Sequence, residues 1–427
     1  MTAINVSATP TAAVPAAPPV AAAAAVKARP RLVTPPLLLR FVSIVACSVG
    51  FFLPLAAVPL LADSTSSVAG GVANGALLAA TVVGELLSPW LLQRLGARFV
   101  LAAGLALLGA PTFLLLFSIS IPMLVATGAL RGLGFALAIV AGGALTAALV
   151  PAERRGEGLA LAGLVSAVPS LLALPLGVSL SSAIGPGAVF AIAGAAPLLA
   201  LASVGALPAR LGRQADMTPT GSDAPSGSSA EPTDAPRAAS GILSGLRSPE
   251  LLRPALVFAA SAAVAGVVVT CVPSALTGAA SMLAPALLLV QPAAAAVGRW
   301  VAGRYGDRIG HRRLFVPGIV LSAFGAAAMA ATASPVLLIA GALIFGLGFG
   351  ALQNSTITAM YEQATERQYG TVSALWNAGY DGGMAVGALA ISVLAALIGP
   401  NGAFLALGLA LPLVLVLVRR SASTTNR

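Results

Sequence analysis

Three ionisable side chains stand deep inside long apolar runs of this sequence: Glu85, Arg131 and Asp381. A charge in hydrocarbon costs about 2.5 to 3.5 kcal/mol at mid-depth on insertion scales, so each is expected to face protein or a wet cavity. A carboxyl group in such a place can load and release a proton, whereas a guanidinium can only hold charge and donate hydrogen bonds. The chemistry open to the trio is therefore proton uptake and release by Asp381 or Glu85. The alternative is a permanent ion pair with Arg131 that cements helices together. Asn74, Thr81, Glu85 and Ser88 follow one another at steps of 7, 4 and 3, a single polar stripe that should face protein. Asn377 lies one turn before Asp381 on the same face, among Gly379, Gly382, Gly383 and Gly387, which permit close helix approach. Gln291, Gln353, Asn354, Trp376 and Tyr380 are further candidates for contact with a small solute. For each of these, ordinary interhelical hydrogen bonding or aromatic packing is the alternative.

The elements that must carry these residues are hydrophobic helices. With 58% apolar and 8% charged residues in 427, the chain is too apolar for a water-soluble fold. Apolar runs near the roughly 20 residues that cross a bilayer recur along it. Twelve spans are expected: 37–61, 71–92, 99–117, 122–149, 158–181, 187–208, 251–276, 281–301, 314–332, 335–360, 371–397 and 401–418. A membrane β-barrel would instead read as short alternating segments. At about 1.5 Å per residue, Arg131 and Asp381 then lie near the same depth, about 14 Å from one surface and about 15 Å from the other.

Charge is distributed by loop. Arg40 and the basic residues before it precede span 1, Arg94 and Arg98 lie between spans 2 and 3, and Arg154 and Arg155 follow span 4. Arg304, Arg308, Arg312 and Arg313 surround the turn after span 8, and Arg367 follows span 10. The alternate loops, near Asp63, Ser118, Ile184, Ala279, Ala333 and Pro400, carry no Lys or Arg. This pattern predicts that both termini are cytoplasmic in an inner (plasma) membrane, and it requires an even number of spans. The net charge of +10 is thus a topology signal, and no nucleic-acid partner is expected. Residues 1–36, rich in Ala and Pro, read as a disordered cytoplasmic tail, and 209–247, rich in Ser, Pro, Asp, Thr and Gly, as a linker. The linker separates two bundles, 37–208 and 248–420, and 421–427 form a second tail. Cys47 and Cys271 fall inside spans and offer no metal spacing.

The bundles are repeats. Arg94-Leu95-Gly96-Ala97-Arg98 corresponds to Arg308-Ile309-Gly310-His311-Arg312, and Gly132-Leu133-Gly134-Phe135 to Gly346-Leu347-Gly348-Phe349, both at a shift of 214. Glu153-Arg154 corresponds to Glu366-Arg367 at a shift of 213. Three anchors in order, each at the same place relative to its spans, imply duplication of a six-span unit.

With these motifs the sequence resembles the major facilitator superfamily. Gly303-Arg304-Tyr305-Gly306-Asp307-Arg308-Ile309-Gly310-His311-Arg312-Arg313 matches the loop signature of that family, and the first-half copy keeps Arg94 and Gly96 but has Gln93 in place of Asp. Span 4 resembles the family's fourth-helix motif with the Arg displaced by three positions, to Arg131. Pro151-Ala152-Glu153-Arg154-Arg155-Gly156 matches the loop before span 5, and Leu174-Pro175-Leu176-Gly177 is a loose version of the motif of drug:proton antiporters. The resemblance implies two six-helix bundles around a central cavity, with spans 2 and 11 adjoining between them. Asp307 is then expected at the start of span 5, near Gly158 and Leu159, where free N–H groups favour a carboxylate. Arg308, Arg312 and Arg313 could pair with Glu153 and Glu157, closing a cytoplasmic gate; the alternative is that these charges only set topology.

The expected fold is all-α, with twelve transmembrane helices in two pseudo-symmetric bundles. The sequence has no nucleotide-binding glycine loop, no nucleophile paired with His and no His/Cys cluster, so no enzyme activity, cofactor or metal is expected. An ion gradient then supplies the energy. The expected function is proton-coupled efflux of a small amphipathic or cationic compound by alternating access. Its alternatives are proton-linked uptake of a metabolite and, from another class, a non-transporting sensor or scaffold. The expected partners are a small-molecule substrate, protons and the lipid bilayer, with the protein a monomer.

Overall fold

A computed structural model describes residues 32–62, 68–150, 155–207, 245–276, 282–364 and 369–416, without the side chains of 147, 155–160, 274, 369 and 370. Most of the expected tails and linker lie outside these residues, as do Glu153, Arg154 and Arg367. The described chain is helical throughout: α1 Pro35–Ala62, α2 Ala69–Leu95, α3 Ala97–Gly109, α4 Ile121–Leu149, α5 Arg155–Ile184 and α6 Pro186–Gly205. The second half comprises α7 Pro249–Ala275, α8 Ala284–Ile309, α9 Phe315–Ala328 and α10 Pro335–Tyr361. The last segment, Tyr369–Ala410, breaks at Gly399, whose φ of 73° lies in the left-handed region. Its arms before and after the break are α11 and α12. Turns of 3-10 helix extend α3 over Ala110–Leu116 and α12 over Leu411–Val414.

The chain therefore has twelve transmembrane helices. Ten described segments are long and apolar enough to cross a membrane. The broken last segment supplies two helices from one of these ten, and α9, only 14 residues in regular α form, is the twelfth. Helix starts follow local chemistry. Proline stands in the first turn of α4, α6, α7, α8 and α10, where its missing N–H leaves no bond unmade. Ser334 accepts from the N–H of Leu337 at 3.4 Å and caps α10.

The duplication is visible in the backbone. Gly96 and Gly310 close α2 and α8 with φ of 79° and 90°, and Gly185 and Gly399 turn the chain before a proline with φ of 88° and 73°. Each pair is 214 residues apart, and the second adds an anchor to the repeat. Packing repeats too. A side chain at Gly104 would press on Gly134 and Ala138, and one at Gly318 on the equivalent Gly348 and Leu352. Such backbone-to-backbone contact is how helices associate in lipid, where apolar burial offers little drive.

The main pairings within the bundles are α2 with α4, α8 with α10, α1 with α5 and α7 with α11. Across the bundles α2 packs on α11 and α5 on α8, as a two-fold relation requires. The turns at Gly96 and Gly310 mark a basic end of the molecule, and those at Gly185 and Gly399 the opposite end, where no described residue is Lys or Arg. At this opposite end Gly71 of α2 lies directly against Ser392 and the Ala388 carbonyl of α11. There Asn74 of α2 also donates to the Thr270 hydroxyl of α7 at 3.2 Å.

Candidate functional site

Midway along α2 and α11, the side chains of Glu85 and Asp381 meet across the bundle interface, where both line one cavity. Two carboxylates are both acceptors only, so a bond between these groups would require a shared proton. Asp381 is 8% exposed, and the second carboxyl oxygen of Glu85 is buried with no hydrogen-bond partner among the described residues. On its other side α11 is glycine-rich and packs closely on α7, where Gly383 and Gly387 lie against the carbonyls of Ala259 and Ala263.

The pair borders a cavity of about 180 Å³ between the bundles. Phe51 and Phe52 of α1, Phe135 of α4, and Asn377, Tyr380 and Met384 of α11 line it, and none of its lining residues is basic. Phe51 and Phe135 stack with centroids 3.7 Å apart and planes at 19°. Phe52 meets Phe51 edge-on at 5.0 Å. Behind the opposite wall a second stack runs from Trp376 to Phe258 at 4.4 Å and from Phe258 to Tyr380 at 5.6 Å. Trp376 is further fixed by its indole N–H, which donates to Thr356 at 3.1 Å. Rings of this kind present π faces to a ligand at little cost in side-chain freedom.

Arg131 does not pair with either carboxyl group. Its guanidinium is 2% exposed and donates to the carbonyls of Gly50 and Phe51 at 3.2 and 3.4 Å, and its Nε finds no partner among the described residues. Pro54 explains the choice: lacking an N–H, it leaves the Gly50 carbonyl one turn earlier without its intrahelical donor. Asn74 does the same for Leu55, whose carbonyl is released by Pro59, with a bond of 3.0 Å. Two buried polar side chains from neighbouring helices thus satisfy the two carbonyls that prolines free in α1, as a chain in lipid must.

The remaining candidates divide. Asn377 and Tyr380 line the cavity. Gln291, 6% exposed, packs where α8 meets Gly346 of α10, and Asn354 faces Gly303 near the basic end with its carbonyl oxygen buried and unpartnered among the described residues. Neither these two nor Gln353 is among the cavity's lining residues. In the polar stripe of α2, Thr81 and Ser88 donate to carbonyls of their own helix at 3.0 and 2.6 Å, which leaves Glu85 to face the cavity. Arg40 corrects the expectation of a loop cation before span 1. It lies in the second turn of α1, 4% exposed, and is a buried ionisable residue near the end of the span. Phe51, Phe52 and Phe135 are cavity residues that sequence reasoning passed over, because aromatic side chains in an apolar span break no pattern.

At the basic end, the described contact of Asp307 is His311, with Nε2 to Oδ1 at 3.7 Å, and Asp307 is exposed. His311 is buried and its Nδ1–H donates to Glu362 of the α10 end at 2.9 Å. Arg308, Gly310 and Arg313 are exposed and Arg312 half-buried, while Gln93 and Arg94 are exposed and Arg94 stacks on Trp90 at 4.6 Å. The expected gate partners Glu153, Arg155 and Glu157 fall outside the described residues or side chains, as does the side chain of Leu159 beside Gly158.

The sequence matches the profile of the Major Facilitator Superfamily over residues 40–291 and 255–426. Among solved structures the chain is similar to the nucleoside transporter NupG, with a TM-score of 0.72 and 11% identity over 92% of this chain and 100% of that one. It is also similar to the peptide transporter POT, a glutamate-to-glutamine mutant in complex with alafosfalin, with a TM-score of 0.69 and 17% identity over 91% and 94% of the two chains. These likenesses show the fold. No curated protein sequence matches the chain.

Proposed function

Since the chain belongs to the Major Facilitator Superfamily, and so is a membrane transporter, we propose that it exports a small amphipathic organic cation in exchange for protons, after the manner of drug:proton antiporters. The observation that carries this reading is the Glu85–Asp381 pair. One carboxyl comes from each bundle, and together they face an aromatic cavity that no basic residue lines. A cation docked against the aromatic faces would satisfy the unpartnered oxygen of Glu85 and replace a shared proton. Rocking the bundles would part the carboxyl groups and change how many protons they hold, which couples cargo to proton movement. Arg131 enters this scheme as a positioning residue that holds the broken stretch of α1, with Phe51 and Phe52, against α4. The basic end is the cytoplasmic one in this reading, and the turn motifs gate it.

A neutral or zwitterionic metabolite taken up with protons is the second reading. Asn377 at the cavity wall favours it, because an amide can serve either sign of polar group. The test is transport of 1-methyl-4-phenylpyridinium by the purified protein in proteoliposomes under an imposed pH gradient of either sense. Accumulation of the cation on the acidic side, abolished by dissipating the gradient, is the expected result. Absence of any gradient-driven movement of this probe and of other monovalent organic cations would sink the cation reading.

A further inference from the structure

A second cavity, of about 150 Å³, lies within the first bundle between α1, α4 and α5, closer to the basic end. Its wall holds Arg40, Cys47, Thr146 and Ser166 among apolar residues, and Ile139 borders both this pocket and the acidic cavity. We propose that this pocket binds the carboxylate of a small apolar acid through Arg40. The inference does not depend on the cation reading above, since it concerns a different pocket and the opposite charge.

Arg40 is built in and is not a snorkelling loop cation. Its Nε–H donates to the Gly142 carbonyl at 3.0 Å and one terminal nitrogen to the Ser43 hydroxyl at 2.6 Å. Ser43 in turn donates to the Arg40 carbonyl at 2.8 Å, and Thr146 donates to the same Gly142 carbonyl at 2.8 Å. The other terminal nitrogen lies flat over Gly142, in the space where any side chain at that position would stand. The glycine is thus the seat of the guanidinium. Every described partner of Arg40 is neutral, so the buried positive charge has no counter-charge among the described residues, and part of its planar fork is left for a ligand.

The pocket's chemistry selects the class of anion. One guanidinium balances one negative charge and matches a carboxylate two-pronged, whereas a phosphate dianion would call for a second cation that the lining lacks. Ile44, Ala138, Ile139 and Ala162 make the remaining wall apolar. A volume of about 150 Å³ takes a molecule the size of benzene, so an aromatic or short aliphatic acid fits.

The probe is radiolabelled benzoate, bound to the purified full-length protein in nanodiscs of uncharged lipid. Saturable binding at one site per chain is expected, weaker by roughly tenfold or more in Arg40→Gln. Because Arg40→Gln removes a buried bonding group and can impair folding, Gly143→Val is the companion. Gly143 lines the pocket and a Cβ there meets nothing within 4 Å, so a side chain at this position starts in open space at the pocket wall. It too should abolish binding. Benzoate counterflow in proteoliposomes then assigns the source of the carboxylate: exchange marks a transported acid, and binding without exchange marks a resident counter-ion. No saturable binding to the folded wild-type protein, or binding that survives Gly143→Val unchanged, would overturn the proposal.

Discussion

Arg131 donates to the Gly50 carbonyl at 3.2 Å, the one acceptor in that turn of α1 that Pro54 leaves without a helical donor. A cation deep in α4 therefore serves a break in another helix's backbone, and the break and the cation are complementary parts of one arrangement. The first prediction follows. Arg131→Met leaves a buried carbonyl bare and should cost about 1 to 3 kcal/mol. Pro54→Ala restores a donor to that carbonyl, so in its background the same substitution should cost less. The two effects on the denaturation midpoint should thus be non-additive. Strict additivity would mean that the proline and the arginine are unrelated.

Asp381→Asn keeps a donor for Glu85 but removes a proton site. For one-to-one exchange of a monovalent cation with a proton, each pH unit across the membrane supports about tenfold accumulation. The variant should show accumulation near unity at every gradient, and Glu85→Gln should behave alike, because the proton belongs to the pair. Exchange of labelled for unlabelled cation, which needs no net proton movement, should persist. Gradient-driven accumulation by Asp381→Asn equal to wild type would remove the pair from coupling.

How much of this was legible in the sequence depends on the kind of signal. The helices were, because apolar length is a property of contiguous residues, and the repeat was, because Gly96 and Gly310 punctuate equivalent turns. Glu85 and Asp381 stood out because charge in an apolar run is costly. The role of Arg131 did not stand out. Its partner is a main-chain atom, made available by a proline 77 residues earlier in sequence, and no residue type announces an exposed carbonyl. Pro54 itself was the usable clue. Arg40 was misplaced for a related reason: near the end of an apolar run, a topology cation and a buried one look alike, and only Gly142 on α4 distinguishes them.

Gly71 sets the closure at the end opposite the basic one. A Cβ there would collide with the Ser392 hydroxyl, which can rotate, and with the Ala388 carbonyl, which cannot. Gly71→Ala should therefore separate α2 from α11 at that end, at a cost of about 1 to 3 kcal/mol if the bundles are forced together. Spin labels at Ser118 and Ala333, one in each half, should report a longer distance than in the parent protein. Gly163→Ala, whose Cβ meets nothing within 4 Å, is the control and should leave the distance unchanged. Equal distances in all three proteins would show that the contact does not control opening.

The basic-end turn is held by a side chain that needs a glycine beside it. His311 folds back over Gly306 of α8, so closely that a Cβ at that position would overlap the imidazole, and from there it bonds Glu362 at 2.9 Å. Gly306→Ala should push the ring away and break the tie between the ends of α8 and α10. The loss is that of a charge-assisted hydrogen bond, about 1.5 to 3 kcal/mol. In a His311→Ala background the ring is gone and the space is empty. There the alanine should gain up to about 1 kcal/mol from better helix propensity. The sign of the Gly306→Ala effect on thermal stability should thus reverse between the two backgrounds. Should it stay destabilising by the same amount in both, the requirement for glycine at 306 comes from something other than His311.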